Sequence, residues 1–178
     1  MSNPDEILHE SSRFRVVRRK QQPSGKAMLS RDVILHPGAV VIIPRFDDRL
    51  LRDGGRIYLI RNYRVAVDET LIELPAGTLE PNEDPLECEH RELEEETGYR
   101  AAKIEKLHEF YMSPGILNER MHLFLATGLT PGEMNLDEGE QIEVVPTPWN
   151  DALTMIDTGE IRDAKTIAGL LFYDRHRR

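Results

Sequence analysis

The chain has one cysteine, Cys88. A disulfide framework within the chain and a four-cysteine zinc site are therefore excluded, and a reducing compartment fits. Long apolar runs are missing too. The longest, such as residues 39–43, fall far short of the roughly 20 residues that span a bilayer. The opening Met1-Ser2-Asn3-Pro4-Asp5-Glu6 is polar and acidic, with no apolar core of a signal peptide. The expectation is a cytoplasmic protein with no membrane partner. Positive charge is in deficit: Lys+Arg 23 against Asp+Glu 32 leaves −9. A body this acidic does not suit general nucleic-acid binding, which needs a basic surface to displace counterions. An anionic small substrate would have to be met by local arginines or a bound metal. Internal repeats, low-complexity tracts and glycine-rich phosphate loops are absent as well.

What is present suits one domain. The chain has 178 residues, of which 39% are hydrophobic and 31% charged, and about 150 residues per domain is the usual prior. Two strand-like runs, 14–17 and 32–35, flank a turn at Pro23-Ser24-Gly25 and predict a small β region over residues 1–37. Strand patterns then follow at 39–43, 56–60, 70–74, 103–111, 120–126 and 141–145, with a hairpin signal at Asp53-Gly54-Gly55. Helices are predicted over 85–97, 149–157 and 163–176. Strands interleaved with a few helices predict an α/β fold, a sandwich with a mixed sheet over residues 38–178.

The helix at 85–97 carries the chemistry. Asp84 is a good N-cap, Pro85 suits the first helical position, Glu87 completes a capping-box pattern, and Gly98 suits a left-handed stop. Glu92 and Glu96 are four apart and share a face, with Glu95 beside them. Arg91 is four residues before Glu95 and can hold that carboxylate. The ordinary reading of a glutamate-rich helix is a solvated acidic face. Here, however, the acids crowd the C-terminal end, where like charges and the macrodipole both disfavour them, and no lysine balances them. Hard divalent cations with oxygen ligands, Mg²⁺ or Mn²⁺, would relieve that repulsion. Glu73-Leu74-Pro75-Ala76-Gly77 ends the preceding strand and would bring a backbone carbonyl near the carboxylates.

Gly77, Glu83, Arg91-Glu92-Leu93, Glu95-Glu96, Gly98 and Tyr99 fit the Nudix box at every fixed position. Only Tyr99 is unusual, at a final place that is normally aliphatic. The resemblance implies an α/β/α sandwich and hydrolysis of a nucleoside diphosphate linked to another moiety. It also implies metal ligands at Glu92, Glu96 and the Ala76 carbonyl. Pro114, within Ser113-Pro114-Gly115 and 16 residues after Gly98, resembles the mark of the ADP-ribose pyrophosphatase subfamily. Arg61-Asn62-Tyr63-Arg64, Glu73–Gly77 and Asp137-Glu138-Gly139-Glu140 look like that subfamily too.

By this resemblance Arg64 binds the adenylate end and Glu73 hydrogen-bonds polar substrate groups. Ser113, Pro114 and Gly115 shape the substrate loop, and Glu119 lies near the terminal ribose. Arg31 reaches the adenine site of a partner subunit, so a homodimer joined through residues 1–37 is implied. Glu138 is a candidate general base and Glu140 a candidate metal ligand, with Glu95 the alternative base. Hydrolysis of ADP-ribose to AMP and ribose 5-phosphate is the implied reaction. Another nucleoside diphosphate sugar such as GDP-mannose is the alternative substrate, and a non-catalytic ADP-ribose-binding module the alternative class. Cys88 reads as a packing residue, and His108 and His122 as strand residues.

Overall fold

The computed structural model describes residues 5–22, 24–46, 55–136, 139 and 141–177. Pro23, Asp53 and Gly54 of the expected turns lie outside these residues, as do Glu138 and Glu140.

The chain opens with three strands, β1 (Glu6–Glu10), β2 (Arg15–Gln21) and β3 (Leu29–Leu35), which form an antiparallel sheet in the order β1-β2-β3. The sequence pattern missed β1, whose residues are all exposed and so carry no alternation. The edge strand β3 ties this sheet to the rest of the molecule. Ile34 donates its N–H to the Ile116 carbonyl (2.9 Å) and accepts from Asn118 N–H (3.2 Å). The His36 N–H then donates to Asn118 Oδ1 at 2.6 Å.

A seven-stranded sheet follows. It contains β4 (Ala39–Phe46), β5 (Arg56–Arg64), β6 (Glu69–Glu73), β7 (Ala76–Thr78), β8 (Tyr99–Tyr111), β9 (Arg120–Pro131) and β10 (Ile142–Pro148). Five strands run in the order β10-β5-β4-β9-β8, with β6 on β5 and β7 on β4. The sheet is mixed because β4 and β9 run parallel while the other pairs are antiparallel. The helices are α1 (Pro85–Thr97), α2 (Trp149–Asp157) and α3 (Ala164–Arg177).

Strand β4 shows why the layers form. All six residues from Ala39 to Pro44 are buried, as expected for a strand covered on both faces. Alternate side chains then serve different cores. Val40 and Ile42 pack with Cys88 and Leu93 of α1 and with Phe124 and Ala126 of β9. Ala39, Val41 and Ile43 pack with Trp149 and Ala152 of α2 and Leu170 and Tyr173 of α3. Trp149 Nε1 donates to Asp174 Oδ1 at 3.0 Å, which pins α2 to α3. The result is the expected α/β/α sandwich. No helix among the described residues is long and apolar enough to cross a membrane.

Candidate active site

Local chemistry sets the ends of α1. Asp84 Oδ1 accepts the Leu86 N–H at 2.8 Å, Pro85 takes the first turn, and Gly98 closes the helix at φ 69°. Helical spacing then aims Glu92 and Glu96 at β7. The Ala76 N–H donates to Glu96 Oε2 at 2.8 Å. Glu92 lies against Gly77 so closely that a Cβ there would fall 1.7 Å from the Glu92 carboxyl carbon. Only glycine leaves room for that carboxylate.

Arg91 organises the acids from the helix side. Its guanidinium donates to Glu83 Oε1 (3.0 Å), Glu92 Oε1 (2.7 Å) and Glu95 Oε2 (3.0 Å). The hydrogen bond to Glu83 is the largest cause of the raised pKa of Arg91, and it lowers that of Glu83 in return. Arg91 therefore stays a cation among three carboxylates. Cys88 is fully buried and free of disulfide. Burial pushes its thiol up, so no thiolate nucleophile is available.

These groups open into a cleft of about 640 Å³ lined by Arg64, Ala76, Glu92, Glu95 and Glu96 on one side and by Ser11–Arg15 on another. Hard oxygen donors, two of them carboxylates cradled on β7, fit a divalent cation of the Mg²⁺ type. Among the described residues no three His, Cys, Asp or Glu side chains converge as a ready-made metal site. The cationic place between Glu92 and Glu95 is filled by Arg91.

The expected substrate residues separate into groups. Arg64 lines the cleft, but its Nε and Nη2 are bound to Glu73 at 2.8 and 2.6 Å. Glu73 is fully buried and also pairs with Lys165. Burial pushes the Glu73 pKa up, but the two cations outweigh it and the net shift is down. Both Glu73 oxygens accept from these cations, so Glu73 positions Arg64. Lys165 lies 92 residues away in sequence, and no local pattern announced it.

Arg31, Pro114 and Gly115 come together in a second cavity of about 500 Å³, beside Arg19, Lys20 and Tyr111. The Ser113 carbonyl closes that loop by accepting from Ile116 and Leu117 N–H at 3.0 and 2.8 Å. Asn118 borders both cavities. Glu119 lines neither and instead faces His36 Nδ1 at 3.5 Å. One acid was not singled out from sequence. Glu89 is fully buried, neither oxygen has a hydrogen-bond partner among the described residues, and desolvation pushes its pKa up to about 8. Its place four residues before buried Leu93 was the available signal.

Comparison with known proteins agrees with this geometry. A NUDIX domain model matches residues 35–170. The chain is 42% identical over 146 residues to an ADP-ribose pyrophosphatase of Bacillus subtilis, covering 81% of this chain and 75% of that protein. It is 36% identical over 152 residues to a methanol dehydrogenase activator of Bacillus methanolicus (84% and 78% covered). It is also 42% identical over 125 residues to a GDP-mannose pyrophosphatase of Citrobacter koseri (65% of each). A crystal structure of an ADP compounds hydrolase superposes with a TM-score of 0.78 at 23% identity, over 98% of this chain and 95% of that one, which shows the shared fold.

Proposed function

The chain belongs to the Nudix family of hydrolases, and from that premise we propose that it hydrolyses the diphosphate bond of ADP-ribose to AMP and ribose 5-phosphate with Mg²⁺. The support is the pair of carboxylates, Glu92 and Glu96, seated on Gly77 and Ala76 at the floor of a cleft that Arg64 also lines. The match to an ADP-ribose pyrophosphatase spans 81% of this chain, against 65% for a GDP-mannose pyrophosphatase at the same 42% identity, and the longer match favours ADP-ribose among nucleoside diphosphate sugars.

Nudix hydrolases generally use a divalent metal. Here Glu92, Glu96 and the Ala76 carbonyl would hold it, with Glu140 as a further ligand, Mn²⁺ serving in place of Mg²⁺. Such an ion offsets charge on the phosphoryl oxygens and acidifies a bound water. The chain's own groups do the rest. Arg64, held by Glu73, keeps Nη1 for the adenylate phosphate. Arg91 fixes the Glu92 and Glu95 carboxylates in place. A glutamate takes the proton of the attacking water, the new P–O bond forms, and the bridging P–O bond breaks. Glu138 is the proposed base, with Glu95, already in the cleft, as the alternative. Arg31 and the Ser113-Pro114-Gly115 loop hold the adenosine end across a homodimer, and Glu119 stands toward the terminal ribose.

Turnover of ADP-ribose, GDP-mannose, ADP-glucose and NADH with and without EDTA tests the substrate. ADP-ribose is expected to lead and EDTA to abolish the reaction; preference for GDP-mannose would overturn the assignment. Glu92→Gln and Glu96→Gln should each lower kcat by orders of magnitude while the melting temperature holds, since glutamine keeps an acceptor for the Ala76 N–H. Near-normal activity at saturating Mg²⁺ would remove these residues from the metal site. Glu138→Gln should lower kcat by roughly 10²–10⁴-fold, the share of a positioned general base, and leave KM nearly unchanged. Wild-type behaviour would move the role to Glu95.

A further inference from the structure

The roof of the catalytic cleft is the turn between β1 and β2. Residues 10–15 line the cavity across from Glu92, Glu95 and Glu96. The turn is closed by its own chemistry. Ser11 Oγ accepts from the Phe14 N–H at 3.1 Å and donates to the Phe14 carbonyl at 2.9 Å, while the Ser11 N–H donates to that same carbonyl at 3.0 Å. It is also held in register with the catalytic unit, because β3 of the same sheet is bonded to residues 116 and 118.

The arginines of the cleft fall into two classes. Arg64 is committed to Glu73, and Arg91 to Glu83, Glu92 and Glu95. Arg13 and Arg15 are different. Both are exposed, both line the cleft, and neither side chain has an ion-pair or hydrogen-bond partner among the described residues. Their neighbours Arg18 and Arg19, on the same strand, are each locked to an aspartate, Asp32 and Asp5. Two uncommitted guanidiniums therefore face a cavity whose floor is carboxylate. A planar fork of donors matches phosphoryl oxygens, to which it bonds bidentately.

We infer that Arg13 and Arg15 form a phosphate clamp, supplied by the same chain that supplies Glu92 and Glu96, which grips the substrate's diphosphate from the roof of the cleft. The clamp rests on the reading that the substrate carries a diphosphate. It answers an electrostatic problem that the floor creates. A dianionic group approaching three glutamates is repelled, and a cation on the floor offsets only the side it touches. Arginines on the roof attract the opposite oxygens and so bind ground state and transition state alike. They should govern affinity rather than the chemical step.

The test is calorimetric binding in EDTA, where no turnover occurs, with two probes: ADP-ribose and inorganic pyrophosphate. The proteins are wild type, Arg13→Ala, Arg15→Ala, the double variant and the double lysine variant. Each alanine should raise Kd about tenfold for both probes, the low end for a hydrogen bond to a charged group. Lysine should recover part of the loss, since charge remains and the fork does not. With Mg²⁺, KM for ADP-ribose should rise similarly with kcat within about threefold. Melting temperatures within about 2 °C of wild type would show the turn intact. Equal affinities of wild type and the double alanine variant for both probes would overturn the clamp, as would wild type binding neither. Wild type that binds pyrophosphate through these arginines but does not hydrolyse ADP-ribose would leave the clamp standing and refute the substrate. Co-expression of the double alanine variant with Glu92→Gln should leave KM at the raised value of the double alanine variant; a fraction with the wild-type KM would show that the turn serves a partner's cleft and would overturn the same-chain clamp.

Discussion

Glu89 and Glu92 lie on the same helix, less than one turn apart, and meet opposite fates. Glu92 reaches the cleft over Gly77, where only a missing Cβ makes room for it. Glu89 turns into the protein with neither oxygen paired among the described residues. Burial without a partner disfavours the charged form, so its pKa rises from 4.5 to about 8. The sign for stability follows from linkage. Below 4.5 the carboxyl is protonated in both states and imposes no pH dependence. Between 4.5 and about 8 the unfolded chain ionises it freely and the folded chain does not, so folding stability falls as pH rises. Glu89→Leu should therefore stabilise the protein, by about 1–3 kcal/mol even where the acid is neutral, the cost of an unsatisfied buried polar group. The gain in melting temperature should widen from pH 5 to pH 8 and level off above. Thermal unfolding at those values checks it, and a gain independent of pH would show that the carboxyl titrates normally. The sequence made Glu92, Glu95 and Glu96 legible because box spacing and helical geometry act locally. It left Glu89 unremarked because counting acids does not tell which side of a helix the sheet will cover.

The elements show the same divide between local and distant causes. Helix α1 was legible to the residue, since its cap, its proline and its stop glycine all lie within the segment. The short strand β7 was not, because three residues carry no period. It exists by pairing with β4, Val41 opposite Ala76. The role of Glu73 was hidden for a related reason. It ends β6, but its meaning comes from Arg64 on β5 and Lys165 on α3. The same corner receives a third tie, as the Leu74 N–H donates to Thr166 Oγ1 at 2.8 Å. Glu73→Gln keeps the volume and removes the carboxylate that bonds both Arg64 and Lys165. Breaking a fully buried pair costs about 3–5 kcal/mol, and the loss here should be nearer 2 because Arg64 remains partly solvated. The depressed Glu73 pKa sets the pH window. Its stabilisation is complete above the unfolded value of 4.5 and is lost as pH falls through the lowered one. Wild type and Glu73→Gln should therefore differ most near neutrality and converge in acid. KM for ADP-ribose should rise as Arg64 loses its anchor. An unchanged KM with lowered stability would confine Glu73 to the fold.

At the scale of the molecule, the N-terminal sheet is the part whose packing one chain leaves unfinished. Val17 is buried at 2%, but Ile7, Leu8, Phe14, Met28 and Leu29 are all more than a third exposed. Three strands with apolar side chains left in water are a poor stopping point for a small sheet. The same sheet carries Arg31 into the second cavity with Pro114 and Gly115, and places Arg13 and Arg15 over the cleft. It thus joins two sites that a nucleoside diphosphate sugar could occupy end to end. A second copy of the chain, pairing through residues 1–37, would cover the apolar side chains and complete the second cavity. The expected state is a homodimer at micromolar concentration, measured by light scattering. Ile7→Glu combined with Leu29→Glu should shift it toward monomer, since a charge in a closing apolar contact is expensive to desolvate. Activity should fall with dimer content, and mainly through KM, as the proposal of a metal site within each chain and an adenosine end shared between chains requires. A wild-type monomer with full activity would refute both the interface and the shared adenosine site, and would leave the cleft under Arg13 and Arg15 as the whole of the active centre.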